Sequence, residues 1–187
     1  NPGIPKVMEQ VRLENPKKII CIPMYPHYAS SSSGSTVEEV MRVLKNWYVI
    51  PDLRITGQFY DHSGYIDTIV DNAKKHDLQS FEHFIFSYHG LPERQVDKVY
   101  DDGPCSDKHC ESEITHENLH CYKATCYATT RLIAAKLNLK EEQYTVSFQS
   151  RLDKNWLEPF SDFVVEDLAK KGMKKVLVFS PAFVSDC

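Results

Sequence analysis

The chain has 187 residues, and a hydrophobic fraction of 42% with 26% charged residues is typical of a globular protein that buries a core. A formal net charge of −4, with Lys and Arg scattered along the chain, argues against nucleic-acid binding. No apolar run approaches the roughly 18 residues of a membrane span, and the polar start NPGIPKVMEQ lacks the apolar core of a signal peptide. We therefore expect a cytoplasmic protein without a transmembrane segment.

Apolar runs and helical repeats alternate along the chain. The first predicted strand is residues 17–26, and a predicted helix at 35–47 follows it with Ser35 as its N-cap. The later predicted elements are a strand at 53–60, a helix at 64–76, a strand at 81–90, a helix at 127–139, a strand at 144–150, a helix at 160–172 and a strand at 174–183. This alternation predicts an α/β fold with parallel sheets covered on both faces. A domain boundary is expected between residues 77 and 78.

Parallel α/β sheets bind ligands at the carboxyl ends of their strands, and three strand ends here carry unusual polar residues. In the first, residues 23–35 (PMYPHYASSSSGS), His27 and Tyr28 precede a run of serines that includes Ser30 and Ser31. This run leads into a helix whose N-terminus favours anions. The alternative interpretation is a serine-rich loop with a helix cap.

The second and third strand ends carry a histidine and an arginine. His89 ends a buried strand before Gly90, and neutral imidazole can serve as a metal ligand or a general base. A structural histidine is the competing interpretation. In residues 147–159 (SFQSRLDKNWLEP), Arg151 and Trp156 suit a flat, carboxylate-bearing ligand, although a packed loop would look the same.

Four of the six cysteines, Cys105, Cys110, Cys121 and Cys126, lie in one polar stretch between a strand and a helix. In a reducing compartment such a group indicates metal or redox chemistry before disulfides. The spacing C-x4-C-x10-C-x4-C brings four thiolates together, as a [2Fe–2S] cluster needs. Zinc also accepts four thiolates, but its usual C-x2-C pairs are absent. Two alternatives stay open: a ligand drawn from His109, His116 or His120, and four independent thiols or fortuitous disulfides.

Four motifs together resemble the ferrochelatase family. They are PMYPHYASSSSGS at 23–35, SYHGLPER at 87–94, FQSRLDKNWLEP at 148–159 and SPAFVSDC at 180–187, in the family's order and over nearly the whole chain. The resemblance implies a chelatase-like fold of two flavodoxin-like (Rossmann-like) parallel-sheet domains with a ligand cleft between them. Residues 1–77 would be part of the N-terminal domain, without its first strand. Residues 78–187 would be the C-terminal domain, with a Cys-rich insertion at 101–126.

The resemblance also implies an activity and a set of site residues. The family is a lyase that inserts Fe²⁺ into protoporphyrin IX, the last step of haem biosynthesis. His89 would be the catalytic residue, taking pyrrole protons or passing iron to the macrocycle, and His27 a second metal-binding residue. The porphyrin-binding residues would be Tyr28, Ser30, Ser31, Arg151 and Trp156. No nucleotide is expected, because the chain has no Walker sequence and no G-x-G-x-x-G.

The resemblance favours iron and sulfur at the cysteines, because several bacterial members carry a [2Fe–2S] cluster on cysteines in this internal region. Asp186 matches the aspartate of the family's SDxxET stretch, whereas Asp153 stands where the family usually has glycine. The family is usually much longer, so the chain is expected to be a central fragment that ends before the acidic partner of His89. The activity of such a fragment is a separate question, and peripheral membrane contact of the parent protein stays open.

Two other functions fit the same residues. A cobalt or sirohydrochlorin chelatase would share the architecture, although the FQSR…WL motif argues against it. A non-enzymatic iron–sulfur redox-sensing module would place the function in the cysteine insertion.

Overall fold

The computed structural model describes residues 2–184, so the prediction for Asp186 lies outside the described residues. The chain divides into two compact units between Gln58 and Phe59, and each unit is described by itself. Both contain helices and parallel strands, which confirms the predicted mixed α/β class.

The first unit is built on a pair of parallel strands. Its helices and strands are α1 (Ile4–Leu13), β1 (Lys18–Cys21), α2 (Ser35–Leu44) and β2 (Asp52–Ile55). β1 and β2 pair in parallel, with Lys18 opposite Asp52 and Cys21 opposite Ile55. Met8 of α1 and Val40 and Leu44 of α2 form the buried core. Hydrophobic burial between the two helices and the strands therefore holds this unit together.

The second unit is built on a three-stranded parallel sheet in the order β4-β3-β5. Its elements are α3 (Ser63–Ala73), β3 (His83–His89), α4 (Glu93–Val96), α5 (Tyr122–Leu137), β4 (Tyr144–Gln149), α6 (Ser161–Lys170) and β5 (Val176–Phe179). The central strand β3 is buried from His83 to Tyr88. Phe86 on β3 stacks on Phe179 of β5, with ring centroids 4.6 Å apart and planes 7° apart. A nearly continuous apolar run is typical of a strand covered on both faces.

The register of β3 and β4 fixes where the second unit carries polar side chains. Phe84 pairs with Tyr144 at one end, and His89 pairs with Gln149 at the other. The pairing of β3 with β5 ends earlier, at Phe86 and Phe179. His89 and Gln149 therefore lie together at the carboxyl edge of the sheet, the edge at which ligands bind in folds of this class.

The nine predicted strands and helices all occur, and most end a few residues earlier than predicted. The prediction of Ser35 as an N-cap is wrong. Helix α2 continues from a π-helical turn at Ser30–Gly34, and the Ser35 hydroxyl donates to the carbonyl oxygens of Ser31 and Ser32, at 3.1 and 3.0 Å. The boundary at 77/78 stays a prediction, although α3 packs against α5 within the second unit.

Candidate functional site

His89 is the last residue of β3, and its ring orientation is fixed by a neighbouring carbonyl. Its Nδ1 lies 2.6 Å from the carbonyl oxygen of Gly90. Because a carbonyl oxygen only accepts hydrogen bonds, Nδ1 must carry the proton in the neutral ring. Nε2 then holds the lone pair, which is the form that accepts a proton or binds a metal ion. The side chain is half-buried, with its ring centroid 6.2 Å from that of Phe183.

Gly90, the residue after β3, lies against the end of β4 and against Trp156. Its amide donates to the carbonyl oxygen of Gln149 at 2.7 Å. A Cβ at this position would lie 2.8 Å from that oxygen and 3.3 Å from Cε3 of Trp156. The carbonyl belongs to the backbone and cannot turn aside, so only glycine fits without a shift of the main chain.

Trp156 lies beside the same turn. It forms an antiparallel bridge with Pro92, and the amide of Leu157 donates to the carbonyl oxygen of Leu91 at 2.9 Å. Asp153, the departure from the family pattern, accepts a hydrogen bond at Oδ1 from the amide of Asn155 at 2.7 Å. An aspartate therefore replaces the expected glycine by closing a local turn with its own side chain.

Arg151 follows β4 and is already paired within the second unit. Its guanidinium makes a two-pronged ion pair with Asp162, with Nη2 donating to Oδ2 at 2.7 Å. The same group stacks over the rings of Phe160 and Phe163, at 4.2 and 4.6 Å from their centroids. The nearby cation lowers the pKa of Asp162, chiefly through this hydrogen bond. Any ligand carboxylate that binds Arg151 would compete with Asp162 for it.

The serine stretch and His27 lie in the first unit. Ser30 and Ser31 are exposed in the π-helical turn, and Tyr28 is 38% exposed with its amide donating to Oε1 of Gln58. His27 is only 2% exposed, and burial lowers its pKa to about 3. The imidazole is therefore neutral at physiological pH, the protonation state that a metal ligand needs.

The structure brings three of the four predicted cysteine ligands together. The sulfur of Cys105 lies 3.5 Å from the sulfurs of Cys110 and Cys121, and all three sulfurs are within 4.8 Å of one another. The three side chains are at most 4% exposed. The five cysteines of residues 2–184 are all free thiols. We call Cys105, Cys110 and Cys121 the cysteine triad.

The three thiols of the cysteine triad affect one another's ionisation. Hydrogen bonds from the Cys105 and Cys110 thiols lower the pKa of Cys121, and the helix amide of Ala124 acts in the same direction. The hydrogen bonds of Cys105 to Cys110 and to Cys121 raise the pKa of Cys105, because they hold its proton. Cys121 therefore loses its proton most readily. Ionisation of a second thiol is opposed by the negative charge already present in this buried site. A metal ion would remove that opposition, since it binds thiolates.

Cys126 lies outside the triad, five residues further along α5. It is fully buried, and burial raises the pKa of its thiol. The hydroxyl of Tyr122 is its hydrogen-bond neighbour. Within residues 2–184, the cysteine triad is the one group of metal-ligand atoms that lie within 4.8 Å of one another, and it contains no histidine. His109, His116 and His120 are exposed. The role of Cys126 as a fourth ligand stays a prediction.

Two tyrosines contact these sites, and sequence reasoning missed both. The hydroxyl of Tyr100 lies 2.9 Å from the sulfur of Cys110, where it can donate to a thiolate. The hydroxyl of Tyr122, the residue after Cys121, donates to the main-chain oxygen of His89 at 2.9 Å. The position of Tyr122 directly after a candidate ligand was the one available signal.

Helix lengths also bear on the membrane question. Within residues 2–184, no helix is both long and apolar enough to cross a membrane.

Comparison with known proteins gives one consistent result. A family model described as Ferrochelatase matches residues 1–187. Proteins named ferrochelatase from Ectopseudomonas mendocina, Pseudomonas fluorescens biotype C and Legionella pneumophila are 35%, 34% and 36% identical to this chain. The first two alignments cover 100% of the chain and the third covers 99%, and each covers 56% of the relative. The chain thus spans little more than half the length of these relatives.

Proposed function

Since the chain belongs to the ferrochelatase family, we propose that the full-length protein inserts Fe²⁺ into protoporphyrin IX to form haem. The observation that carries this proposal is the state of His89 at the carboxyl edge of the sheet. Its Nδ1 proton is engaged by the carbonyl oxygen of Gly90, so Nε2 is the nitrogen with a lone pair. This arrangement supports a proton acceptor or a transient iron ligand.

The reaction has a simple proton balance. As Fe²⁺ enters the macrocycle, both pyrrole N–H protons must leave, and haem forms with the release of two protons. In the proposal, Nε2 of His89 accepts one pyrrole proton and becomes imidazolium, which then passes the proton to water. A second base takes the other proton. Iron is the substrate here, and the neutral, buried His27 is proposed as a further iron ligand.

The porphyrin-binding residues are proposed from the family motifs. Trp156 lies beside the turn that follows His89, which supports stacking against a flat macrocycle. Arg151 offers a guanidinium that could exchange its partner Asp162 for a propionate. Exposed groups of Tyr28, Ser30 and Ser31 complete the proposed set.

A [2Fe–2S] cluster is proposed at the cysteines, with the cysteine triad and Cys126 as its four ligands. Buried thiols with sulfurs 3.5 Å apart support a bound cation of this chemistry. When bound, such a cluster supplies one-electron redox chemistry and a crosslink between a loop and a helix. Ligands of this kind assemble in a reducing compartment, which supports the proposed cytoplasmic location.

Two measurements on anaerobically purified full-length protein test these proposals. Iron insertion is followed with protoporphyrin IX and with sirohydrochlorin, and turnover of sirohydrochlorin alone would contradict the ferrochelatase assignment. We expect about two irons and two sulfides per chain, from the composition of the cluster. Serine at any of the four proposed ligands should bleach the protein, while Cys21→Ser, which changes a thiol in β1, should not. Colourless protein with one zinc per chain would refute the cluster.

A further inference from the structure

Tyr122 joins the first turn of α5 to the end of β3. Its side chain is 7% exposed, and its hydroxyl donates to the main-chain oxygen of His89 at 2.9 Å. The two residues are 33 positions apart in the chain. A buried hydroxyl needs a partner, and here that partner is the main chain of the proposed catalytic residue.

The His89 carbonyl needs this donor because the sheet supplies none on its side. The amide of Gly90 points to β4, where it bonds to Gln149, so the carbonyl of His89 in the same trans peptide points the opposite way. On that side lies β5, but its pairing with β3 stops at Phe86 and Phe179. The His89 oxygen therefore lies beyond the end of the ladder, and Tyr122 replaces the missing strand donor.

The 89–90 peptide is consequently held from both sides, by Gln149 and by Tyr122. The imidazole is tied to the same stretch of main chain, because Nδ1 of His89 bonds to the carbonyl oxygen of Gly90, in the peptide that follows, at 2.6 Å. A shift of the main chain would therefore turn the ring and move Nε2. Misplacement of a reacting group by about 1 Å can cost on the order of 100-fold in rate.

We propose that Tyr122 is a positioning residue that holds His89 in its reactive orientation through a hydrogen bond to the His89 main chain. The proposal rests on the function assigned to His89 above. Tyr122 touches no reacting atom, so it acts on the reaction through His89, while its hydroxyl also neighbours the thiol of Cys126.

The test compares two variants of the full-length protein that each delete one hydroxyl from α5. Tyr122→Phe keeps the buried ring and removes both the bond to His89 and the hydroxyl beside Cys126, so kcat is compared at equal iron and sulfide content. Thr129→Val is the matched control, because the Thr129 hydroxyl is also buried and donates to a main-chain oxygen, that of Tyr60, at 2.8 Å. We expect kcat to fall at least tenfold in Tyr122→Phe, with the KM for protoporphyrin within twofold. Thr129→Val should keep kcat within twofold of wild type.

A second readout does not depend on activity. Long-range proton–nitrogen spectra of the ring of His89 report its tautomer and surroundings, and we expect displaced ring signals in Tyr122→Phe and unchanged signals in Thr129→Val. Wild-type kcat in Tyr122→Phe, equal losses in both variants, or unchanged His89 signals would overturn the positioning role. A wild-type protein that inserts no iron would instead refute the proposed function, while the spectra would still test the positioning.

Discussion

At the scale of single residues, His89 is the side chain on which the proposed chemistry depends most. It ends β3 at the carboxyl edge and is half-buried, so it contributes little to the core. We expect His89→Ala in the full-length protein to abolish iron insertion and to change the free energy of unfolding by no more than about 1 kcal/mol, as for surface sites. Denaturant unfolding and a metalation assay check both parts. Activity close to wild type would remove His89 from the mechanism.

Gly90 gives a prediction about stability at the same edge. In Gly90→Ala, the new methyl group would lie 2.8 Å from the carbonyl oxygen of Gln149 and must push the two strands apart. Overpacking of this kind costs roughly 1–3 kcal/mol. Gly57→Ala is the control, because a Cβ there would meet nothing within 4 Å, and we expect a change within about 0.5 kcal/mol. Equal unfolding free energies for the two variants would contradict the close approach.

The sequence predicted His89 at the end of a buried strand and a group of four cysteines, of which the structure brings three together, because each stands in a recognisable motif or spacing. It could not show that Arg151 is paired with Asp162 or that Tyr122 reaches His89. Both are contacts between distant residues, and the second ends on a main-chain oxygen, which is the same for every residue type. Such contacts leave no pattern in one sequence.

At the scale of elements, hydrophobic periodicity predicted the strands and most helices, but it failed at the ends and at α1. That helix begins beside Pro5 and shows Ile4, Met8 and Val11 at helical spacing, a signal that sequence reasoning overlooked. The π-helical turn before α2 could not be predicted. It depends on a bond from the amide of Gly34 to the carbonyl oxygen of Ala29, and four serines favour no particular helix type.

Helix α5 connects the two sites, because Cys121 and Tyr122 are adjacent at its start. If the cluster orders this start, Cys110→Ser or Cys121→Ser should speed hydrogen exchange of the Thr125 amide, which donates to the Cys121 oxygen at 3.0 Å. The amide of Phe148 in β4, which donates to the Pro159 oxygen at 2.8 Å, should keep its rate. Exchange at Thr125 that does not change on loss of the cluster would show that the polypeptide alone fixes the helix start.

Part of the insertion is ordered by its own polar groups. Asn118 is 2% exposed. Its side-chain Nδ2 donates to the main-chain oxygen of Glu113 at 2.9 Å, and its side-chain Oδ1 accepts from the main-chain amide of Thr115 at 2.7 Å. The carbonyl oxygen of Asn118 accepts from the amide of Cys121 at 2.8 Å. A polar network can therefore place one ligand where few apolar residues are available, although it cannot neutralise three buried thiolates.

At the scale of the whole molecule, we expect cluster binding at the cysteines to need less of the protein than porphyrin metalation does. The three sulfurs of the cysteine triad and the contacts of Asn118 and Tyr100 that support them all lie between residues 97 and 126. The ferrochelatases that this chain matches are nearly twice as long, since each alignment covers 56% of the relative. We therefore expect the 187-residue chain by itself to bind the iron–sulfur cluster but to metalate protoporphyrin IX far more slowly than the full-length protein.

Parallel preparations of the two proteins decide this separation. Both are purified anaerobically, their visible spectra and their iron and sulfide contents are normalised to protein concentration, and each is then given protoporphyrin IX with Fe²⁺ under the same conditions. Equal spectra with activity only in the full-length protein would show that the 187-residue chain is enough for the cysteine site but not for the metalation site. Turnover by the 187-residue chain at the full-length rate would show that the matched 56% already contains every group the reaction needs. A colourless 187-residue chain beside a coloured full-length protein would show instead that the cysteine triad requires support from residues outside this 187-residue chain.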